Sequence, residues 1–233
     1  MSLQQAAQWI HRQLLRSIGK ARVIFRVRQI RRRDFCIIAS NCTGSLPYRF
    51  LKLPYNTPTV NLFFYAPDFI RFVQRLDHYL AQPLRFTPIS KFPDNAAVHE
   101  AHGNYPIGRL DDIEVHFMHY INESEAEEKW NRRKLRINRD NLVIAFTDKD
   151  LCTPELLADF DNLPYPRKFV LTAQQHPMIK SSVQVPAYAD ASEVGDTYTN
   201  FNTLAHIDFA ELLDRPAIET ADNPVPAVVP TTR

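Results

Sequence analysis

Residues 141–173, "NLVIAFTDKDLCTPELLADFDNLPYPRKFVLTA", decide the fold. "NLVIAFT" is a short apolar run and reads as a strand. "TPELLADFDNL" reads as a helix, with Thr153 as N-cap and Pro154 at the first position. "RKFVLTA" is a second strand. Upstream, "DIEVHFMHY" (112–120) alternates like a strand, with Ile113, Val115 and Phe117 on one face. "ESEAEEKWNRRKLRI" (123–137) between them is a helix. This β-α-β-α-β order predicts an α/β fold with a mostly parallel sheet and right-handed crossovers. Ligands of open α/β sheets bind at the carboxyl ends of the strands. The loops at 40–48, 119–124, 147–153 and 172–178 are therefore the places to look.

Outside that run, "DFCIIAS" (34–40) reads as a buried strand that enters the turn cluster "NCTGS". "TVNLFFY" (59–65) is a further strand candidate, and "LRFTPIS" (84–90) a short one. Residues 66–82 read as one helix, with Phe69, Phe72, Val73, Leu76 and Leu80 on a single stripe. Residues 93–106 look like an irregular excursion, and a 34–215 body could divide near 90–106 into two α/β subdomains. "IDFAELLD" (207–214) is the last clear helix. Residues 216–233 hold four prolines and little that could pack, so a disordered tail is expected.

Composition excludes several classes. Five glycines in 233 residues leave no Walker loop or dinucleotide fingerprint. Three cysteines, Cys36, Cys42 and Cys152, have neither metal spacing nor an even count, so reduced thiols in the cytoplasm are expected. No run is long and apolar enough for a membrane span, and no secretory leader is read at the N-terminus.

Net charge is +2, unevenly placed. Residues 1–33 carry nine Lys/Arg and no acid; the other 200 carry 19 basic and 26 acidic residues, a balance of −7. Leu3, Ala7, Ile10, Leu14, Ile18 and Ala21 recur at spacings of three and four, within about 80° on a helical wheel. Arg12, Arg16 and Lys20 lie on the far side. Such a basic amphipathic arm could lie on an anionic membrane, peripheral to the inner face, or pack its stripe on protein. Nucleic acid is not expected, because no aromatic platform is interleaved with the basic residues.

His116 and His119 could suggest a metal pair. On a strand they face opposite sides, and no third ligand is evident. Glu114 shares a face with His116, and His119 sits at the strand's carboxyl end. The helix that follows is explained by i,i+4 pairs, Glu125–Lys129 and Glu128–Arg132, and by charges that suit its dipole. Its basic end, including Arg132 and Arg133, could also meet a phosphate.

"ASNCTG", "LPYNTPTVNLFF", "YPIGRLDDIEVHFMHY", "EAEEKWNRRKLRIN", "NLVIAFTDKDLCT" and "LPYPRKFVLT" follow in an order that resembles the uncharacterised-domain family numbered 1919. The likeness covers about residues 34–173. Members are bacterial α/β proteins often labelled for exopolysaccharide biosynthesis, and their reaction is not established. The resemblance thus implies a pathway without a mechanism. Here Ser40-Asn41-Cys42 is one residue shorter than the family's Ser-Asn-Asn-Cys turn, and 93–106 is expanded.

These readings lead to a transferase of surface or exopolysaccharide biosynthesis using a nucleotide-linked donor. Asp148 and Asp150 would hold Mg or Mn against its diphosphate. Asp148 and His119 are the candidate catalytic residues. Ser40, Asn41, Cys42, Tyr55, Asn56, Arg132 and Arg133 would contact the nucleotide-sugar or glycan precursor. Two other readings stay open: a non-catalytic precursor-binding or assembly protein, and a hydrolase with Asp148 or His119 as base.

Overall fold

The computed structural model describes residues 2–93 and 95–214; the expected tail at 216–233 lies outside them. Helix α1 (Leu3–Arg28) starts from a capping box, in which Ser2 Oγ accepts from the Gln5 amide and Gln5 Oε1 from the Ser2 amide. Strand β1 (Cys36–Ala39) leads through a 3-10 turn, Cys42–Ser45, into α2 (Leu46–Leu51). Then come α3 (Ala66–Gln74), α4 (Leu76–Ala81), β2 (Arg85–Thr87), α5 (Asn95–Ala101), β3 (Ile107–Leu110) and β4 (Ile113–His116). The chain closes with α6 (Glu123–Lys134), β5 (Leu142–Thr147), α7 (Pro154–Asp161), β6 (Lys168–Thr172), β7 (Ser182–Gln184) and α8 (Phe209–Asp214).

Four strands form a parallel sheet in the order β1-β5-β6-β7, and β2, β3 and β4 form a separate antiparallel sheet. The β-α-β-α-β reading is corrected at its first strand. Residues 113–116 belong to the antiparallel sheet, and β5 takes β1 as its neighbour on that side. The cause is local. Leu110 pairs with Ile113 across Asp111 and Asp112, and Asp111 adopts φ 58°. This two-residue turn folds β4 straight back on β3.

Other expectations also change. Residues 59–65 do not form a strand; they make one bridge, Phe63 to His116. The outer edge of β1 is occupied by side-chain hydroxyls instead. Thr59 Oγ1 accepts from the Ala39 amide at 2.9 Å, and Tyr48 OH from the Ile37 amide at 3.0 Å. The expected 66–82 helix breaks at Arg75 (φ −129°, ψ 45°) into α3 and α4. The 93–106 excursion contains α5.

Alternation along the central strands builds two cores. Cys36, Ile38, Ile144 and Phe146 pack against Phe69, Phe72, Trp130 and Phe160. Ile37, Ala39, Val143 and Leu171 face Val23, Val27, Tyr48, Leu204 and Leu213 on the other side. The result is a sheet with helices on both faces. The first core continues through Leu110, Ile113, Val115 and Phe117, so both sheets share it. Each such aliphatic or aromatic side chain contributes about 1.5–3 kcal/mol by leaving water. Gly44 lets the 3-10 turn fold back on β1, since a Cβ there would lie 2.3 Å from that of Ala39.

Candidate functional site

A cleft of about 680 Å³ opens at the carboxyl ends of β1 and β5. The turn after β1 supplies Asn41, Cys42 and Thr43, and the extended 59–65 segment supplies Phe63 and Tyr65. His119 follows β4, while Lys149, Asp150 and Leu151 follow β5. The far wall is Glu193 and Gly195–Thr199.

Hydrogen bonds set this geometry. Asn41 Oδ1 accepts from the Thr43 amide at 3.1 Å, and its Nδ2 donates to Thr147 Oγ1 at 2.8 Å, which ties the ends of β1 and β5 together. The Thr43 and Thr197 hydroxyls bond across the cleft and join the first turn to the far wall. Asp148 Oδ1 accepts from the Val194 amide at 2.7 Å, and Oδ2 from the Ala173 amide at 2.6 Å. Three non-glycine residues around the cleft, Asn61, Asp150 and Leu151, have φ of 61°, 57° and 68°. Left-handed backbone outside glycine costs about 1–2 kcal/mol per residue and is held in place by the surrounding contacts.

The site is electrostatically polarised. Burial pushes the Asp150 carboxyl up to about 6; Lys149, 3.8 Å away, opposes the rise and Glu193 adds to it. Burial lowers the His119 imidazole, His102 lowers it further, and Asp196 works in the opposite direction. Burial pushes the Cys42 thiol up to about 12, again with Asp196 contributing. Its Sγ rests 3.9 Å from the Leu62 carbonyl. At neutral pH Cys42 is thus a protonated lining group and not a thiolate.

Of the residues singled out by sequence, the fold brings Asn41, Cys42, His119 and Asp150 to one cleft. It places the others elsewhere. Asp148 does not line the cleft; both of its oxygens hold backbone amides, which corrects its reading as a catalytic base and as a metal partner of Asp150. Among the described residues, no group of three or more His, Cys, Asp and Glu is placed to hold a metal ion. Ser40 is buried beside a small apolar cavity with Phe209 and Leu213. Arg133 is buried: its Nη1 donates to Tyr120 OH at 2.7 Å, and its guanidinium lies 5.2 Å from the Tyr55 ring centre. Arg133 and Tyr55 are therefore packing partners. Arg132 pairs with Glu128 at 3.3 Å on the surface, and half-buried Asn56 is outside the cleft lining.

His116 is fully buried in an aromatic box, whereas His119 is exposed at the cleft. Its ring stacks on Phe63 at 4.7 Å, with Tyr65 edge-on at 5.1 Å. Neither ring nitrogen has a hydrogen-bond partner, and Glu114 Oε2 stands 3.7 Å from Nε2. Sequence reasoning missed the far wall altogether. Its signal is "EVGDTYTN" (193–200), a polar cluster containing Gly with no element assigned to it.

The family described as "Domain of unknown function (DUF1919)" matches residues 14–214, and the chain belongs to that family. An uncharacterised protein of Haemophilus influenzae (strain ATCC 51907 / DSM 11121 / KW20 / Rd) is 37% identical over 171 residues, 73% of this chain and 77% of that protein. No helix among the described residues is long and apolar enough to cross a membrane.

Proposed function

We propose that this member of the DUF1919 family is a transferase that acts on a carbohydrate in its cleft, as a step in bacterial surface or exopolysaccharide assembly. One observation carries the reading: a concave site at the strand ends sets a carboxyl poised near neutrality, Asp150, among aromatic and polar groups. Carboxylates such as Glu193 and Asp196 accept hydrogen bonds from sugar hydroxyls. Phe63 and Tyr65 are buried rings of the cleft wall, and half-buried Tyr198 offers apolar surface to the sugar's C–H side.

General acid–base chemistry suits these groups. A catalytic pKa near the working pH is the efficient one, and Asp150 meets that condition. His119 is held neutral and can accept the proton of an attacking hydroxyl. Asp150, when protonated, can return one to the leaving oxygen. Cys42 and Asn41 position the ligand.

The cleft carries Lys149 against Asp150, Glu193 and Asp196. A nucleotide diphosphate alone would be repelled there, so a nucleotide-linked donor implies an accompanying Mg or Mn ion. The test is thermal shift and titration calorimetry against neutral oligosaccharides, nucleotide sugars and nucleoside diphosphates, each with and without Mg²⁺ or Mn²⁺. A saturable response, with turnover lost in Asp150→Asn and His119→Gln while both variants stay folded, is expected. Binding without turnover of any donor would favour the precursor-binding protein. No response across the panel would sink the carbohydrate reading.

A further inference from the structure

We infer that α1 is a docking element for an anionic lipid bilayer. The helix has two apolar faces. One is used internally: Val23 and Val27 are fully buried, and the backbone at Gly19 approaches Asn202 so closely that a Cβ would lie 3.0 Å from the Asn202 Cβ. Lys20 sits over the Phe201 ring at 5.5 Å, and Arg26 Nη1 donates to the His206 carbonyl at 2.8 Å.

The second face points the other way. Ile10, Leu14, Ile18 and Phe25 are 60%, 56%, 43% and 65% exposed. At 100° per residue, this stripe is centred about 180° from the Gly19–Val23–Val27 face. The amphipathic pattern in the sequence is therefore not the pattern that packs on the body. From Gln4 to Ile18 no residue is buried, so about 22 Å of helix stands clear. Trp9, 53% exposed, lies about 145° round the helix from the stripe, on the side of Arg16 and Lys20.

Charge selects the occupant. Residues 1–33 hold nine Lys/Arg and no acid, while the rest of the chain has a balance of −7. A second copy would bring two such arms together and gain nothing from their charge. An anionic bilayer accepts the apolar stripe and attracts the arm, by about 1 kcal/mol per basic residue near its surface. It repels the body, which fixes the orientation. Arg22 and Arg28 lie beside the stripe, while Arg12, Arg16 and Lys20 lie behind it. Because α1 rests on residues 201–204, just beyond the 193–199 wall, docking would hold the cleft at a fixed attitude to the membrane.

The experiment is co-sedimentation of the full chain with vesicles of phosphatidylcholine alone or mixed with phosphatidylglycerol. Pelleting with the anionic vesicles, weakened by salt, is expected. The double variant Leu14→Glu/Ile18→Glu should partition more than about tenfold less, since it removes two apolar side chains that the bilayer would take from water. Both residues are exposed, so its Tm should match the parent's. Equal pelleting on neutral vesicles, or none on anionic ones, overturns the inference. A soluble dimer that the same double variant dissolves, without vesicle binding, assigns the stripe to a second copy and overturns it as well.

Discussion

Asp148 and Val194 are joined by a 2.7 Å hydrogen bond from the Val194 amide to Asp148 Oδ1. A charged side chain at the end of β5 thus fastens the far wall of the cleft through its backbone. The two oxygens of Asp148 serve two amides, so an amide side chain cannot replace the carboxylate. Asp148→Asn is expected to lower stability by about 1–3 kcal/mol, because its NH₂ would face one of those N–H donors. Urea unfolding measures the loss. A stable variant that merely stops binding ligand would contradict this structural assignment.

Asp150, two residues on, should show the opposite response. Its carboxyl is raised from the usual carboxylate range to about 6 by burial. Between those values the native state holds a proton that the unfolded chain has released, so the associated stability is present at low pH and lost as pH rises through about 6. Asp150→Asn, which tolerates the left-handed backbone equally well, removes this dependence. It should stabilise the protein above about pH 7 by about 1–2 kcal/mol. That is less than the full shift, because the side chain is 24% exposed. Denaturant midpoints across the pH range give the readout.

His116 invites a substitution that most buried polar residues would not accept. Burial drives its imidazole down to about 3, and both ring nitrogens lack partners. The unfolded chain takes up a proton as pH falls below about 6.5, whereas the native state does so only near 3. Its contribution is therefore present above about pH 6.5 and lost as pH falls through that window. His116→Phe keeps the ring stack on Phe63 and removes two unsatisfied atoms. A gain of about 1–2 kcal/mol at neutral pH, with a shallower acid limb in thermal melts, is expected. A loss of stability would mean that a partner for the imidazole is present.

Tyr120 ties the 59–65 segment to α6. Its hydroxyl donates to the Val60 carbonyl at 2.7 Å and accepts from Arg133 at 2.7 Å. Tyr120→Phe leaves a buried guanidinium with one partner fewer. It should cost about 1–3 kcal/mol in chemical denaturation. Arg133→Lys should be no rescue, because the ammonium lacks the planar contact with Tyr55.

The parts of this fold that were legible in sequence are those fixed by local chemistry. Thr153 caps α7 through a 3.3 Å bond to the Leu156 amide, with Pro154 inside the first turn, as the spacing predicts. The apolar run of β5 is buried throughout. What escaped depends on distant partners. β4 looks like any strand until the turn at Asp111 assigns it to a different sheet. β7 is three half-buried residues recognisable only by pairing with β6. The cleft was half legible: turns at strand ends pointed to Asn41, Cys42, His119 and Asp150. The 193–199 wall was not, because a bond from Asp148 across 46 residues places it.

The hydroxyls of Thr59 and Tyr48 on the outer edge of β1 also bear on assembly. An open strand edge is a template on which another chain can add itself. Here the Ala39 and Ile37 amides are already taken by side chains, and Tyr48 OH in turn donates to the Phe35 carbonyl at 3.1 Å. The parallel sheet is sealed on that side without spending a strand on it. Edge-to-edge growth, whether into fibrils or into a recognised peptide, is left to the short β7 margin.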